Sequence, residues 1–199
     1  SENWIRDLPN SKYLDFENNP ILLNYFWVPT EGMEIPWGVS QLKFYYDCKY
    51  IKSPPRSASE LKDYIIRNKG RFTFPQPPDF TGTSFLKQIL IELIDNKSLL
   101  KSEYIFHKHK DALSPLWKWL DETTPYLWRE GKIYPPNYLA LTELVAEREI
   151  DIGMAFNIAH ASNAISEGKL PNTIRSFIHK DGTLANVHFL AIPYNSDKK

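Results

Sequence analysis

Over residues 39–46 the apolar Leu42, Phe44 and Tyr46 alternate with Gln41, Lys43 and Tyr45, the period of two that predicts a strand with one covered face. Ser53-Pro54-Pro55 ends it. Ser57-Ala58-Ser59-Glu60 follows as a capping box, a hydroxyl and a carboxylate placed to satisfy the free amides of a starting helix. Leu61, Tyr64 and Ile65 carry that helix to about Asn68, and Gly70 stops it. Arg71-Phe72-Thr73-Phe74 predicts a short strand, closed by Pro75, Pro77 and Pro78. Over residues 82–94 Phe85, Leu86, Ile89, Leu90, Leu93 and Ile94 recur at the spacing of a buried helix face. A longer helix is expected over residues 102–122, with Leu113, Leu116, Trp117 and Leu120 inward and Pro115 tolerable near a start or a kink. Asn137 is placed to cap a helix carrying Leu141, Leu144 and Val145; Ile150, Ile152, Met154 and Phe156 alternate as a strand; Asn157 opens a helix that Gly168 ends. Residues 175–178 and 187–192 predict two more strands. Residues 1–36, divided by Pro9, Pro20, Pro29 and Pro36, predict extended or looping backbone. Strands alternating with helices predict an α/β fold with a mixed, mostly parallel sheet flanked by helices.

Composition narrows the class. The 199 residues are 42% hydrophobic and 14% aromatic, enough for a sizeable core, and 15 prolines outnumber 8 glycines. Twenty-four basic residues balance 24 acidic ones, so the net charge of zero excludes partners held by excess positive charge, nucleic acid first among them. No run of about 18 apolar residues occurs, so nothing in the pattern predicts a membrane span. A single cysteine, Cys48, leaves no internal disulfide and no cysteine-rich zinc site. The chain opens Ser1-Glu2-Asn3-Trp4 with no initiator Met and no secretion signal, which reads as a processed chain or a piece of a longer one.

Open α/β sheets bind ligands beyond the carboxyl ends of their strands, where helix N-termini present free amides. Two strand-to-helix junctions suit that. In Pro77-Pro78-Asp79-Phe80-Thr81-Gly82-Thr83-Ser84, Gly82 lets a ligand approach the backbone and the Thr81, Thr83 and Ser84 hydroxyls add donors; an ordinary N-cap explains the same residues. Asn157, after the strand ending at Phe156, is the second, as a plain cap or a ligand contact. Trp117 and Trp119 lie two apart on one helix and cannot both face the core; Trp117, beside Leu113 and Leu120, is the expected core residue. Trp37 and Trp128 fall in loops, free to line a cleft or to cover a core edge.

Catalysis is not indicated. His107 and His109 point apart on a helix, and His160, His179 and His188 have no companion ligand at metal spacing. Cys48 reads as a small semi-buried residue, and Glu147, Glu149 and Asp151 as a solvated helix end. No nucleophile elbow, P-loop or dinucleotide fingerprint occurs. No cofactor is expected.

Several longer segments carry a resemblance. Val28-Pro29-Thr30-Glu31-Gly32 with Pro36-Trp37-Gly38, Phe74-Pro75-Gln76-Pro77-Pro78-Asp79-Phe80-Thr81-Gly82-Thr83 and Pro125-Tyr126-Leu127-Trp128-Arg129-Glu130-Gly131 belong to one pattern. Phe156-Asn157 with Ala159-His160-Ala161, Gly168-Lys169-Leu170-Pro171, and Asn186-Val187-His188-Phe189 with Ile192-Pro193 complete it in order. Together they resemble ABC-transporter solute-binding proteins of the YnjB type. The resemblance implies a periplasmic-binding-protein fold of the second structural type, with a solute held between two lobes. It implies residues 1–46 as a first-lobe and hinge segment, 47–178 as the second lobe, and 179–199 as a hinge strand returning to the first. It also implies a chain about half the length of family members.

On the same resemblance Asp79, Thr81, Gly82, Thr83, Ser84 and Asn157 are the expected ligand-binding residues of the second lobe, with Trp37 and Trp128 as flanking walls. An anionic solute would suit the hydroxyl-rich helix start, and a heterocyclic or cationic one the tryptophans. The implied partners are a small solute and an inner-membrane ABC permease, and the implied location is the periplasm or a lipid-anchored outer surface. The competing readings are an enzyme on the same fold using Asp79, and a protein-binding module.

Overall fold

The computed structural model describes residues 24–25, 28–30, 33–101 and 105–197. The expectations for residues 1–23 lie outside them. The chain forms two compact units, one holding residues up to Ser40 and from Ala185 onward, the other Gln41–Leu184. In the first, β1 (Asn24–Tyr25) and β2 (Val28–Pro29) pair antiparallel. There too β3 (Glu34–Gln41) is hydrogen-bonded to the later strand β7 (Ala185–Ala191). No helix among the described residues is long and apolar enough to cross a membrane.

The second unit is built around β4 (Lys43–Asp47), the middle strand of a three-stranded sheet between β5 (Ile152–Ala155) and β6 (Ile174–Phe177). Successive side chains of β4 leave opposite faces, and each face is covered. Phe44 stacks on Phe177 at 5.4 Å and meets Phe85 of α2 (Phe80–Leu93) edge-on at 6.3 Å. On that side α2 packs with α1 (Ala58–Arg67) and α3 (Phe106–Thr123). Tyr45 points the other way, to α4 (Tyr138–Ala146), where its hydroxyl lies 2.8 Å from Thr142 Oγ1. The last helix, α5 (His160–Ser166), packs on β6. Phe44, Phe72, Phe85, Ile89, Leu127 and Ile152 are fully buried, each worth roughly 1.5–3 kcal/mol of transfer from water. Gly153 sits directly opposite Tyr45, and a Cβ there would stand 2.3 Å from the ring, so only glycine lets Tyr45 lean across to α4.

The caps of α1 and α4 form as expected. Ser57 Oγ accepts from the Glu60 amide at 3.1 Å, while the Glu60 carboxylate reaches back to the Arg56 amide at 2.8 Å. Asn137 Oδ1 accepts from both Leu139 and Ala140 at 3.0 Å. Gly70 and Gly168 follow their helices with φ of 80° and 71°.

Six expectations are corrected. Residues 39–46 are two strands, broken at Leu42, whose amide bonds to Leu184 O at 2.8 Å and leaves the ladder. Residues 71–74 are extended without being a strand: Phe72, Thr73 and Phe74 are all buried, and their segment is held by isolated bonds from Trp128 N to Phe72 O and from Asp151 N to Arg71 O. The sheet of the second unit is not mostly parallel, because β4 enters between β5 and β6 and runs antiparallel to both. Trp119, not Trp117, is the core residue. It is buried against Phe85 and donates from Nε1 to Ala58 O at 2.9 Å, while Trp117 is 56% exposed. α5 starts at His160 because Asn157 spends its side chain on a turn, accepting from Ala159 N at 2.9 Å. The long helix begins at Phe106 and runs through Pro115, and residues 102–104 lie outside the described ones.

Candidate functional site

The Pro-rich turn before α2 delivers Asp79 as its N-cap: Oδ1 accepts from Gly82 N at 3.0 Å, and the Asp79 carbonyl accepts from Thr83 N at 2.9 Å. The carboxylate therefore already occupies the position that a bound anion would take at this helix end. Thr81, Gly82 and Ser84 are buried, and a Cβ at Gly82 would stand 1.8 Å from Pro75 O, so this turn packs tightly on the segment before it. Thr83 is half-buried. Phe80, which the sequence reading passed over, is 52% exposed, with its ring 4.7 Å from that of Phe156. That pair brings the two junctions together: Asp79 and Phe80 on one side, Phe156 and Asn157 on the other.

The two tryptophans divide between the units. Trp128, in the second unit, is anchored on Glu149 ahead of β5, donating to Glu149 Oε2 at 2.6 Å beneath the Arg129 guanidinium, 5.1 Å from its ring. Trp37 belongs to the first unit, on β3, and is 72% exposed.

Glu149 and Asp151 are not a solvated helix end. Asp151 pairs with Arg71 and accepts from the Tyr64 hydroxyl at 2.7 Å, and burial and that carboxylate push the Tyr64 phenol far up. Two polar clusters have no local signal in the sequence. In the first, Glu92 Oε1 accepts from Gln88 Nε2 at 2.7 Å and lies 2.5 Å from His179 Nδ1, and its Oε2 accepts from Ala58 N at 2.6 Å. Gln88 also holds Leu184 N at 2.8 Å, and His179 stacks on Phe44 at 4.7 Å. Burial pulls the Glu92 carboxyl up, but the bonds from His179 and Gln88, the His179 charge and the Ala58 amide outweigh it and hold it below the usual carboxylate range.

In the second cluster, Thr142 Oγ1 stands 2.8 Å from Tyr45 Oη, 2.8 Å from Tyr138 O and 2.9 Å from His160 Nε2. His160 lies between the Tyr45 and Tyr138 rings and lines a groove of about 520 Å³ between α4 and α5, which Asn157 also enters. Burial pushes its imidazole down from the usual value. Among the described residues no group of three or more His, Cys, Asp or Glu is arranged to hold a metal ion.

Comparison with known proteins gives the fold a context. The family model described as bacterial extracellular solute-binding protein matches residues 3–199. Protein YnjB of Escherichia coli (strain K12) is 39% identical over 194 residues, 98% of this chain and 50% of that protein. The solved spermidine/putrescine substrate-binding protein PotD of Streptococcus pneumoniae superposes with a TM-score of 0.64 at 19% identity, over 97% of this chain and 53% of that one. Iron-bound HitA of Pseudomonas aeruginosa gives 0.58 at 19% identity, over 98% and 54%. AfuA of Actinobacillus pleuropneumoniae, with fructose-6-phosphate bound, gives 0.56 at 13% identity, over 98% and 53%. The fold is periplasmic-binding-protein-like, and the chain spans about half the length of these relatives.

Proposed function

The chain belongs to the bacterial extracellular solute-binding protein family, and from that premise we propose that it serves an ABC importer, capturing a small solute and delivering it to a membrane permease. The observation that carries this reading is a family match over residues 3–199 joined to a backbone shared with binding proteins for a polyamine, iron and a sugar phosphate. A receptor of this kind needs no reacting group. It needs surfaces that a solute can bridge and a change of shape on binding, in which the solute selects the closed state. In this reading the protein acts in the periplasm or from a lipid anchor at the outer surface, and is not a catalyst.

Within the second unit the proposed solute contacts are Asp79, Thr83 and Asn157, seated on the buried base of Thr81, Gly82 and Ser84. Trp37, of the first unit, is proposed as aromatic surface for a flat solute; Trp128, held against Glu149, is left out of that contact. The test is a thermal-shift panel of anions, amino acids, polyamines, heterocycles and sugars, run on this chain and on a chain extended to the relatives' length. One solute class should raise the melting temperature of the longer chain by mass action, and Asp79→Asn with Asn157→Ala should abolish the rise. Asparagine at 79 keeps the helix cap, so folding is retained. If no class shifts either chain, the receptor reading fails. A rise that survives both substitutions moves the site elsewhere.

A further inference from the structure

The groove between α4 and α5 belongs wholly to the second unit, so what it binds does not depend on the rest of a receptor. Its volume of about 520 Å³ falls within the range of small-molecule sites. Hydrogen-bond arithmetic fixes what it offers. The Thr142 hydroxyl has one hydrogen, and the Tyr138 carbonyl 2.8 Å away can only accept it. Thr142 Oγ1 then accepts from the Tyr45 hydroxyl at 2.8 Å and from His160 Nε2 at 2.9 Å. The imidazole therefore carries its hydrogen on Nε2 and a lone pair on Nδ1, which has no hydrogen-bond partner among the described residues. Burial favours this neutral form.

A second acceptor lines the same groove. Glu143, exposed on α4, has no ion pair among the described residues, whereas Glu167 is taken up by Lys169 at 2.7 Å. With Lys169 set against Glu167, the lining carries one uncompensated negative charge on Glu143, the His160 Nδ1 lone pair, and the exposed Asn163 amide, which can donate or accept. Leu139, Ala146 and Ala164 supply apolar wall between them. An anion would meet the Glu143 charge, and a neutral hydrocarbon would leave both acceptors unanswered.

We propose that this groove is a binding site for a small organic cation, an ammonium group on a short hydrocarbon, with Glu143 supplying the charge and His160 Nδ1 accepting a hydrogen bond. It shares only Asn157 with the solute contacts proposed above.

The experiment titrates n-butylammonium chloride into the chain at fixed ionic strength and follows the His160 ring by NMR, with sodium butyrate and n-butanol as matched controls. A saturable His160 shift with butylammonium and none with butyrate is expected. Glu143→Gln, an exposed change that leaves the fold intact, should weaken binding about tenfold or more, as the loss of a charge-assisted bond requires. Asp79→Asn should leave it unchanged, which separates this site from the receptor site. A flat titration, or butyrate acting like butylammonium, overturns the proposal. So does a Glu143→Gln variant that binds as tightly as the original.

Discussion

Removing the Glu92 carboxylate should destabilise the second unit by several kcal/mol. Glu92→Ala leaves three donors behind. Ala58 N–H, in a residue only 1% exposed, is left unpaired at the helix start, at a cost of about 1 kcal/mol. Gln88 keeps its bond to Gly182 O at 3.2 Å and loses little. His179 is 1% exposed and its Nε2 already lacks a partner, so losing the 2.5 Å bond at Nδ1 strands the whole ring at a cost of about 2–3 kcal/mol. The sum is about 3–4 kcal/mol. Glu92→Gln fills the same space but sets an amide N–H against one of the donors, for about 1.5–2 kcal/mol. Urea unfolding at pH 7, read by both circular dichroism and fluorescence, should therefore rank Ala below Gln below the parent with unchanged slopes. The folded-state pKa of Glu92 is lowered, so its charge contributes stability above the unfolded value of 4.5 and loses it as pH falls through the folded value. The gap between parent and Glu92→Gln should accordingly narrow below pH 4.5. An alanine variant within about 0.5 kcal/mol of the parent at pH 7, or a gap that widens in acid, would refute the reasoning.

The two neighbouring tryptophans should behave oppositely. Trp119→Phe breaks the buried 2.9 Å bond to Ala58 O and is expected to cost about 1–3 kcal/mol in urea unfolding, while Trp117→Phe, on the exposed side, should stay within about 0.5 kcal/mol. His160 should give the second unit a pH dependence of its own. Its folded pKa is lowered by burial, so the neutral ring's contribution is complete above the unfolded value of 6.5 and declines as pH falls from there toward the folded value. The stability gap between parent and His160→Gln, measured at pH 7.5 and 5.5, should shrink at the lower pH; a gap that grows would exclude burial as the cause.

Much of the second unit was legible because its signals are local. A capping serine and the glutamate three residues on fall within one helical turn, so Ser57 and Glu60 announce α1 without reference to anything distant. The same holds for Asn137 at α4 and for the apolar stripe of α2. The candidate site was legible only in part. The turn at Asp79 and the corner at Asn157 were marked by residue type, but that Phe80 and Phe156 join them, and that Trp128 stands apart with Glu149, are matters of packing.

Alone, the chain's order of residues determined the caps of α1 and α4, the apolar face of α2 and the absence of a charge surplus, because each depends on neighbours within about one helical turn or on a sum over residues. Strand direction, the choice between Trp117 and Trp119, and the partners of the two histidines were decided by tertiary structure. Glu92 and His179 are 87 positions apart, and Tyr45 and Thr142 are 97 apart. Such groups carry no mutual spacing to read. They become partners only when β4 inserts between β5 and β6, aiming Phe44 at one helical layer and Tyr45 at the other. Burial then makes each unmet donor or acceptor costly enough to select its mate.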